Sequence, residues 1–313
     1  MVHGHVQPTV ALITGGTSGI GRATALALAQ QGLEVVITGR DAARTEAAAA
    51  DLQRRSGNPR VSFLLADLFR PAQVRALAGA FQAQHARLDV LVNNAGGTFT
   101  HRQLTPDGFE RTWALNHLAP MELTLALLPL LTASVPARIV NVASGLYAEA
   151  IRFDDLQAER RYSTFGAYTH AKLANLLFTR ALARRLAGTG VTVNAVNPGI
   201  VATDIARDAR GVSQLINRLL TPLKKTPEQG AFPSVYLATA PEVEGMTGRF
   251  FNKTRFVDPR PVTFDEALQE RLWQVSLQQL GRTSMGDAVP AVETERRSAA
   301  QESDLAAATP PLS

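Results

Sequence analysis

The sequence predicts an α/β fold: a doubly wound, mostly parallel seven-stranded sheet in a single domain with a C-terminal helical extension. Three observations carry that prediction. Short runs rich in Val and Ile alternate with longer Ala- and Leu-rich stretches, the rhythm of parallel strands joined by helical crossovers. The short runs are apolar throughout, as strands buried on both faces are. The 313 residues, 45% of them hydrophobic, suffice for one large core.

Strands are expected at Val10–Thr14, Val35–Thr38, Val61–Ala66, Val90–Asn93, Ile139–Val142 and Val191–Val196, with Phe250–Asn252 as the seventh. Between them, Ala23–Gln31, Ala42–Arg55, Ala72–Gln84, Met121–Leu131 and Ala171–Ala187 read as helices. Gly32 and Gly188 stand where helix C-caps belong. Thr203–Thr226 breaks the rhythm. Its Val212, Leu215, Ile216, Leu219 and Leu220 form the stripe of an amphipathic helix. Because this insertion leaves the C-terminal end of a strand, it is expected to be a substrate lid, with ordinary core packing as the alternative. Thr263 and Glu266 have the spacing of a capping box and predict a final helix through about Gln279. The domain is expected to span residues 8–283, with residues 1–7 a flexible N-terminus and 284–313, rich in Ala, Glu, Ser and Pro, a disordered tail.

Composition removes several classes of function. With no cysteine, disulfides, thiol catalysis and Cys-ligated zinc are excluded. The start Met1-Val2-His3-Gly4-His5 lacks the basic and apolar regions of a signal peptide. No uninterrupted apolar run approaches ~18 residues, so no transmembrane anchor and a cytoplasmic location are expected. The net charge of +5 is dispersed in pairs such as Arg54-Arg55 and Lys224-Lys225, which argues for solvated faces and no nucleic-acid partner. His101 and His117 show no metal-ligand spacing, and no metal is expected.

The chemistry lies in three places. Thr14-Gly15-Gly16-Thr17-Ser18-Gly19-Ile20-Gly21 joins the first strand to the first helix, where glycines let backbone approach a pyrophosphate at a helix N-terminus. Gly15, Thr17, Ser18, Gly19, Ile20 and Gly21 are therefore candidate cofactor-binding residues. The end of the second strand bears on NADP(H) against NAD(H): Arg40 offers a planar charged fork to a ribose 2′-phosphate, with a solvated strand-end cation as its plain alternative. Asp41, about 20 residues beyond Gly21, is the rival position. Tyr168 and Lys172 stand four apart and share a helix face, where a cation lowers a phenol pKa and lets it trade a proton with an alcohol or carbonyl oxygen. His170 falls off that face and reads as structural.

These motifs resemble the short-chain dehydrogenase/reductase family, whose Rossmann fold carries T-G-x-x-x-G-x-G, N-N-A-G and Y-x-x-x-K in this order. Here they are Thr14 to Gly21, Asn93-Asn94-Ala95-Gly96 and Tyr168 to Lys172. Asn197-Pro198-Gly199-Ile200-Val201-Ala202-Thr203 is similar to the family's nicotinamide-side loop, and the likeness covers roughly residues 8 to 252. Phe153-Asp154-Asp155-Leu156, Arg161-Tyr162-Ser163 and Ala171 to Phe178 are similar to its retinol dehydrogenase-like branch.

The resemblance implies an oxidoreductase moving a hydride between NADP(H) and a hydrophobic carbonyl or alcohol. By its register Gly39 stands where NAD-selective members place an aspartate and Asp41 falls past the ribose, so NADP(H) is favoured and NAD(H) kept open. Tyr168 would be general acid/base, Lys172 would tune it and hold the nicotinamide ribose, and Ser144 would bind the substrate oxygen. Asn116 would connect Lys172 to a relay water. Asp67 and Leu68 would border the adenine, Asn93 and Gly96 its ribose, with Asn94 and Ala95 beside them. Pro198, Gly199, Val201 and Thr203 would hold the nicotinamide end. Plainer roles are open for several: Ser144 in a turn, Asn116 at a helix contact, Asp67 in a turn, Thr203 as an N-cap. The alternatives are an NAD-dependent alcohol dehydrogenase and a catalytically silent NADP-binding regulatory protein. A homodimer is left open, because the C-terminal helix could cover one face through which family members associate.

Overall fold

The computed structural model describes residues 8–199 and 225–286. The expectations for residues 1–7, for Val201 and Thr203, for almost all of the lid and for the tail beyond 286 lie outside the described residues.

Among the described residues one sheet of eight strands organises the fold, in the order β3-β2-β1-β4-β5-β6-β7-β8. The strands are β1 (Val10–Ile13), β2 (Glu34–Gly39), β3 (Val61–Leu65), β4 (Val90–Asn93), β5 (Ala137–Val142), β6 (Val191–Asn197), β7 (Phe250–Asn252) and β8 (Arg255–Phe256). The first seven pair in parallel. The eighth corrects the expected count of seven, since β8 pairs antiparallel with β7, Phe251 opposite Phe256 and Asn252 opposite Arg255. A two-residue strand has no apolar run to announce it. Only the Lys253-Thr254 turn between the two strands, with Lys253 at φ 58, marks the hairpin.

Helices cover both faces. Along each strand the apolar residues alternate between two cores, as period-2 geometry requires. Val10, Leu12, Leu91 and Ile139 face α3 (Pro71–Gln84), α5 (Ala119–Ala133) and α6 (Thr164–Arg185). Ala11, Ile13, Val92 and Val140 face α1 (Gly19–Gln30), α2 (Ala42–Ser56) and α7 (Pro227–Thr239). Strand order reverses between β1 and β4, so their C-terminal ends open the crevice where ligands bind in such sheets.

Two helices begin earlier than the apolar pattern indicates, because polar caps set their starts. Ser163 caps α6 by accepting from the Gly166 amide at 3.1 Å, which puts both Tyr168 and Lys172 inside the helix. Glu110 caps α4 (Arg111–Trp113), its carboxylate accepting from the Thr112 and Trp113 amides at 2.8 Å each. From α4 the chain runs through a π-helical turn, Ala114–Leu118, directly into α5. The whole stretch Arg111–Ala133 is long and apolar enough to cross a membrane by length and composition, against the expectation that no such segment exists. Its apolar window is 78% buried, which makes it a core helix of the sheet's flank.

The C-terminal extension is α8 (Glu266–Gln279). Its cap is Asp265, which accepts from the Leu268 amide at 2.9 Å. The expected Thr263 box does not form. Thr263 lies in a 3₁₀ turn, Pro261–Phe264, and donates to the Arg260 carbonyl at 2.9 Å. The helix lies against α6, with Trp273 stacked on Phe178 at 5.9 Å and Trp113 donating to Gln279 at 2.9 Å. Beyond α8, Arg282 reaches the fully buried carboxylate of Glu122 in α5 and pairs with both its oxygens at 2.8 Å. Arg75 in α3 adds a third contact at 3.3 Å.

Removing one partner of a buried ion pair strands the other without solvent, which costs about 3–5 kcal/mol. Arg282→Ala should therefore destabilise the protein towards the lower end of that range, since Arg75 still faces the carboxylate. Urea unfolding of the variant beside the parent protein measures it.

Candidate active site

A cleft of about 490 Å³ runs along the C-terminal ends of the central strands. The glycine turn forms its first wall. Gly15 (φ 69) and Gly19 (φ 54) take backbone conformations that disfavour a side chain. A Cβ on Gly21 would collide with the Gly15 carbonyl and the Asn94 amide. Thr14 fastens the turn to the neighbouring loop, its hydroxyl accepting from the amides of Asn94 and Ala95 at 2.9 Å each. The Asn94 side chain donates to the Thr14 carbonyl at 2.8 Å. Ser18, at the N-cap of α1, makes no side-chain cap bond, so the first-turn amides keep their donors for an anion. This donor-rich, side-chain-free cradle fits the diphosphate of a dinucleotide.

The second wall sits at the ends of β2 and β3. Gly39 is closely packed: a Cβ there would strike the Thr45 hydroxyl and the Thr17 methyl. Arg40 is exposed on the cleft rim and forms no ion pair among the described residues. Asp41 is committed elsewhere, as the N-cap of α2, accepting from the Arg44 amide at 2.8 Å. Asp67 lines the cleft and also accepts from the Phe69 amide at 3.2 Å, so its turn role and a ligand role coexist.

At the far end stand the candidate catalytic residues. Lys172 is buried and donates to the Val142 carbonyl, at the end of β5, at 2.9 Å. Its ammonium is 5.5 Å from the centre of the Tyr168 ring. Burial lowers the Lys172 pKa to about 8 from 10.5. The expected lowering of the Tyr168 pKa is not found. Burial pushes the phenol up, and a hydrogen bond with Ser144 pulls it down by less. The serine hydroxyl thus offsets part of the burial, and the lysine ammonium, 5.5 Å from the ring centre, does not bring the phenol below its ordinary range. Ser144 also accepts from the Leu146 amide at 3.0 Å, so its turn role is real as well.

Asn116 lies within the π turn. Its side-chain nitrogen donates to the Gly97 and Thr112 carbonyls at 2.9 and 2.8 Å. Its Oδ1 is buried with no partner and points at Gly96, 2.7 Å from where a Cβ would sit, with the Lys172 ammonium 3.7 Å from the same point. A buried acceptor and a buried donor therefore face the same side of Gly96.

The cleft therefore brings together Gly15, Thr17, Ser18, Gly19, Ile20, Gly21, Arg40, Asp67, Leu68, Asn94, Ala95, Gly96, Asn116, Tyr168, Lys172 and Pro198. Gly199 (φ 81) stands beside it against the Lys225 side chain. Asn93 does not reach it. Its side chain turns into the core, donating to Asn141 at 2.9 Å and Thr124 at 3.0 Å, and Asn141 in turn donates to Thr179 of α6 at 2.9 Å. His170 is structural, accepting from the Arg152 amide at 2.9 Å and stacked on Trp113, with burial lowering its pKa to about 4. Sequence reasoning missed Thr38, which accepts from the Gly15 amide at 3.3 Å, and also Phe69, Phe99, Gln103 and Arg111 on the cleft wall. No spacing marks these residues; only the folding of loop 97–110 over the cleft assembles them. Among the described residues no group of three His, Asp or Glu side chains comes together as a metal site.

The comparisons with known proteins agree with one another. A family model described as short chain dehydrogenase matches residues 9–212. Human retinol dehydrogenase 14 is 43% identical over 282 residues, covering 85% of this chain and 84% of its own. Human retinol dehydrogenase 12 is 42% identical over 275 residues, covering 87% and 86%. Among solved structures, the Pseudomonas aeruginosa RhlG/NADP active-site complex superposes with a TM-score of 0.65 at 30% identity, covering 79% of this chain and 95% of that one. A mutant actinorhodin polyketide ketoreductase with NADPH gives 0.61 at 27% identity, covering 78% and 95%.

The buried lysine sets a pH dependence. Unfolding returns Lys172 to its ordinary pKa, so between about pH 8 and 10.5 the unfolded chain binds the additional proton. Stability of the unliganded protein should then rise with pH through that window on account of this group. Lys172→Met should flatten the rise, as read from urea midpoints across the window.

Proposed function

The chain is an oxidoreductase of the short-chain dehydrogenase family, and from that premise we propose that it moves a hydride between NADP(H) and a hydrophobic carbonyl or alcohol. The observation that carries this reading is one cleft with a phosphate cradle at one end and Tyr168 and Lys172 at the other, with Ser144 just past β5 acting on the phenol.

The nicotinamide would supply the hydride and the protein the proton. Tyr168 gives its proton to the carbonyl oxygen in reduction and takes one from the alcohol in oxidation. Ser144, close enough to bias the phenol, would share the charge that develops on that oxygen. Lys172 would stabilise the phenolate left behind and hold the ribose hydroxyls, and a water between it and Asn116 would return the proton. Ionising so buried a phenol is costly, which makes these two partners essential to turnover.

The preference for NADP rests on Gly39, Arg40 and Asp41. Packing around Gly39 disfavours the acidic side chain that would favour NAD, and Asp41 is spent on its helix. Arg40 is left to meet a 2′-phosphate. The relatives' names support an apolar alcohol or aldehyde as substrate class. A cytoplasmic location completes the reading, with the apolar Arg111–Ala133 segment accounted for by its burial.

A panel of aromatic and aliphatic aldehydes, ketones and alcohols, run with NADPH and NADH, tests the whole. Tyr168→Phe should lower kcat by roughly 10²–10⁴-fold while dinucleotide affinity stays within about twofold. Undiminished turnover in that variant would overturn the mechanism, and absence of turnover across the panel would favour a regulatory NADP binder. Arg40→Ala should raise KM for NADPH by about tenfold or more and leave KM for NADH nearly unchanged.

A further inference from the structure

Three cations line the cleft among the described residues: Arg40, Lys172 and Arg111. The hydride-transfer reading uses the first two. Arg111 is half-buried at the start of α4, its guanidinium packed against two aromatic rings, 4.5 Å from the centre of Phe69 and 4.4 Å from that of Phe99. The ring centres are 5.9 Å apart, so the rings do not sit on opposite faces of the guanidinium, and its open side keeps N–H groups for polar partners.

One of them donates to the Gln103 side chain. No carboxylate among the described residues forms an ion pair with the rest. Glu110, next in sequence, is turned into the helix it caps, and Asp67 across the cleft takes the Phe69 amide. A partly desolvated guanidinium edge without a counter-charge is unfavourable until an oxyanion meets it. Two parallel N–H groups match the two oxygens of a carboxylate.

The surroundings place that anion relative to the chemistry. The Phe99 carbonyl accepts from Thr164 Oγ1 at 2.9 Å, and Thr164 lies one helical turn before Tyr168. One phenylalanine therefore separates the guanidinium from the helix that carries the phenol. Phe69, Phe99 and Leu115 make the intervening wall apolar.

Resting on the function proposed above, we propose that Arg111 anchors a carboxylate of the substrate, and that the preferred substrate is an apolar carbonyl compound carrying an acid group at its far end. The oxyanion could otherwise be a cofactor phosphate, so the experiment separates the two. With saturating NADPH, kcat/KM for 4-carboxybenzaldehyde is compared with that for its methyl ester in the parent protein, Arg111→Met and Arg111→Lys. NADPH affinity is titrated by fluorescence in all three. Calorimetry measures 2-naphthoate binding to each protein loaded with NADPH.

The parent should favour the acid over the ester. Arg111→Met should reduce that ratio by about tenfold or more and weaken 2-naphthoate binding in parallel, with Arg111→Lys restoring part of both. A ratio and a naphthoate affinity unmoved by Arg111→Met would overturn the proposal. So would a loss confined to NADPH affinity, which would make Arg111 a cofactor contact. Should the parent turn over neither aldehyde, naphthoate binding alone decides the role of Arg111, and the hydride-transfer reading is judged on the full panel.

Discussion

The hydrogen bond from Lys172 to the Val142 carbonyl is the constraint on which the rest of the site depends. It fastens the third turn of α6 to the end of β5, and so fixes Tyr168 one turn earlier on the helix near Ser144, just past that strand. A buried ammonium tolerates few positions, because each one must supply an acceptor. Here the strand end supplies one, and the unpartnered Asn116 oxygen stands ready for a water that would supply another. The same burial that holds the lysine in place depresses its pKa, so position and acidity come from one cause.

Behind this contact a polar ladder crosses the core. Asn93 on β4, Asn141 on β5 and Thr179 on α6 are joined by side-chain hydrogen bonds in a region otherwise filled by Leu, Val and Ile. Apolar packing accepts many small sliding displacements, whereas amide pairs have defined partners and directions. The ladder therefore keys β4, β5 and α6 to one another. Those three elements carry the Gly96 loop, Ser144 and the Tyr168–Lys172 pair. The aromatic contacts of Trp113, His170 and Phe178 secure the other side of α6, and through Trp273 they draw the C-terminal helix onto it.

Much of this was legible in the sequence, for identifiable reasons. Strands buried on both faces write themselves as apolar runs, so β1 to β7 were readable to within a residue or two. The glycine turn was readable because it needs backbone conformations that few residues adopt, and the Tyr168–Lys172 spacing because helices repeat. Where polar side chains decide, reading fell short. The starts of α4 and α6 depend on Glu110 and Ser163, and the last helix on Asp265 instead of Thr263. Asn93 belongs to a motif but spends its side chain in the core. Arg111, Phe69 and Phe99 come from segments far apart in sequence and share no period, so only the folded chain brings them to one wall.

The Glu122–Arg282 pair spans 160 residues of sequence, and synthesis runs in one direction. A ribosome delivers the glutamate, then β5, α6, β6 and β7, before the arginine emerges. Throughout that interval the α5 carboxylate has, among the described residues, Arg75 at 3.3 Å and not yet the two-point pairing with Arg282. All of the parallel strands are synthesised before this tie between α5 and the segment after α8 can form. Docking of the C-terminal extension is therefore a late event for a nascent chain, and the contact that locks it adds a second cation to a carboxylate that already has one.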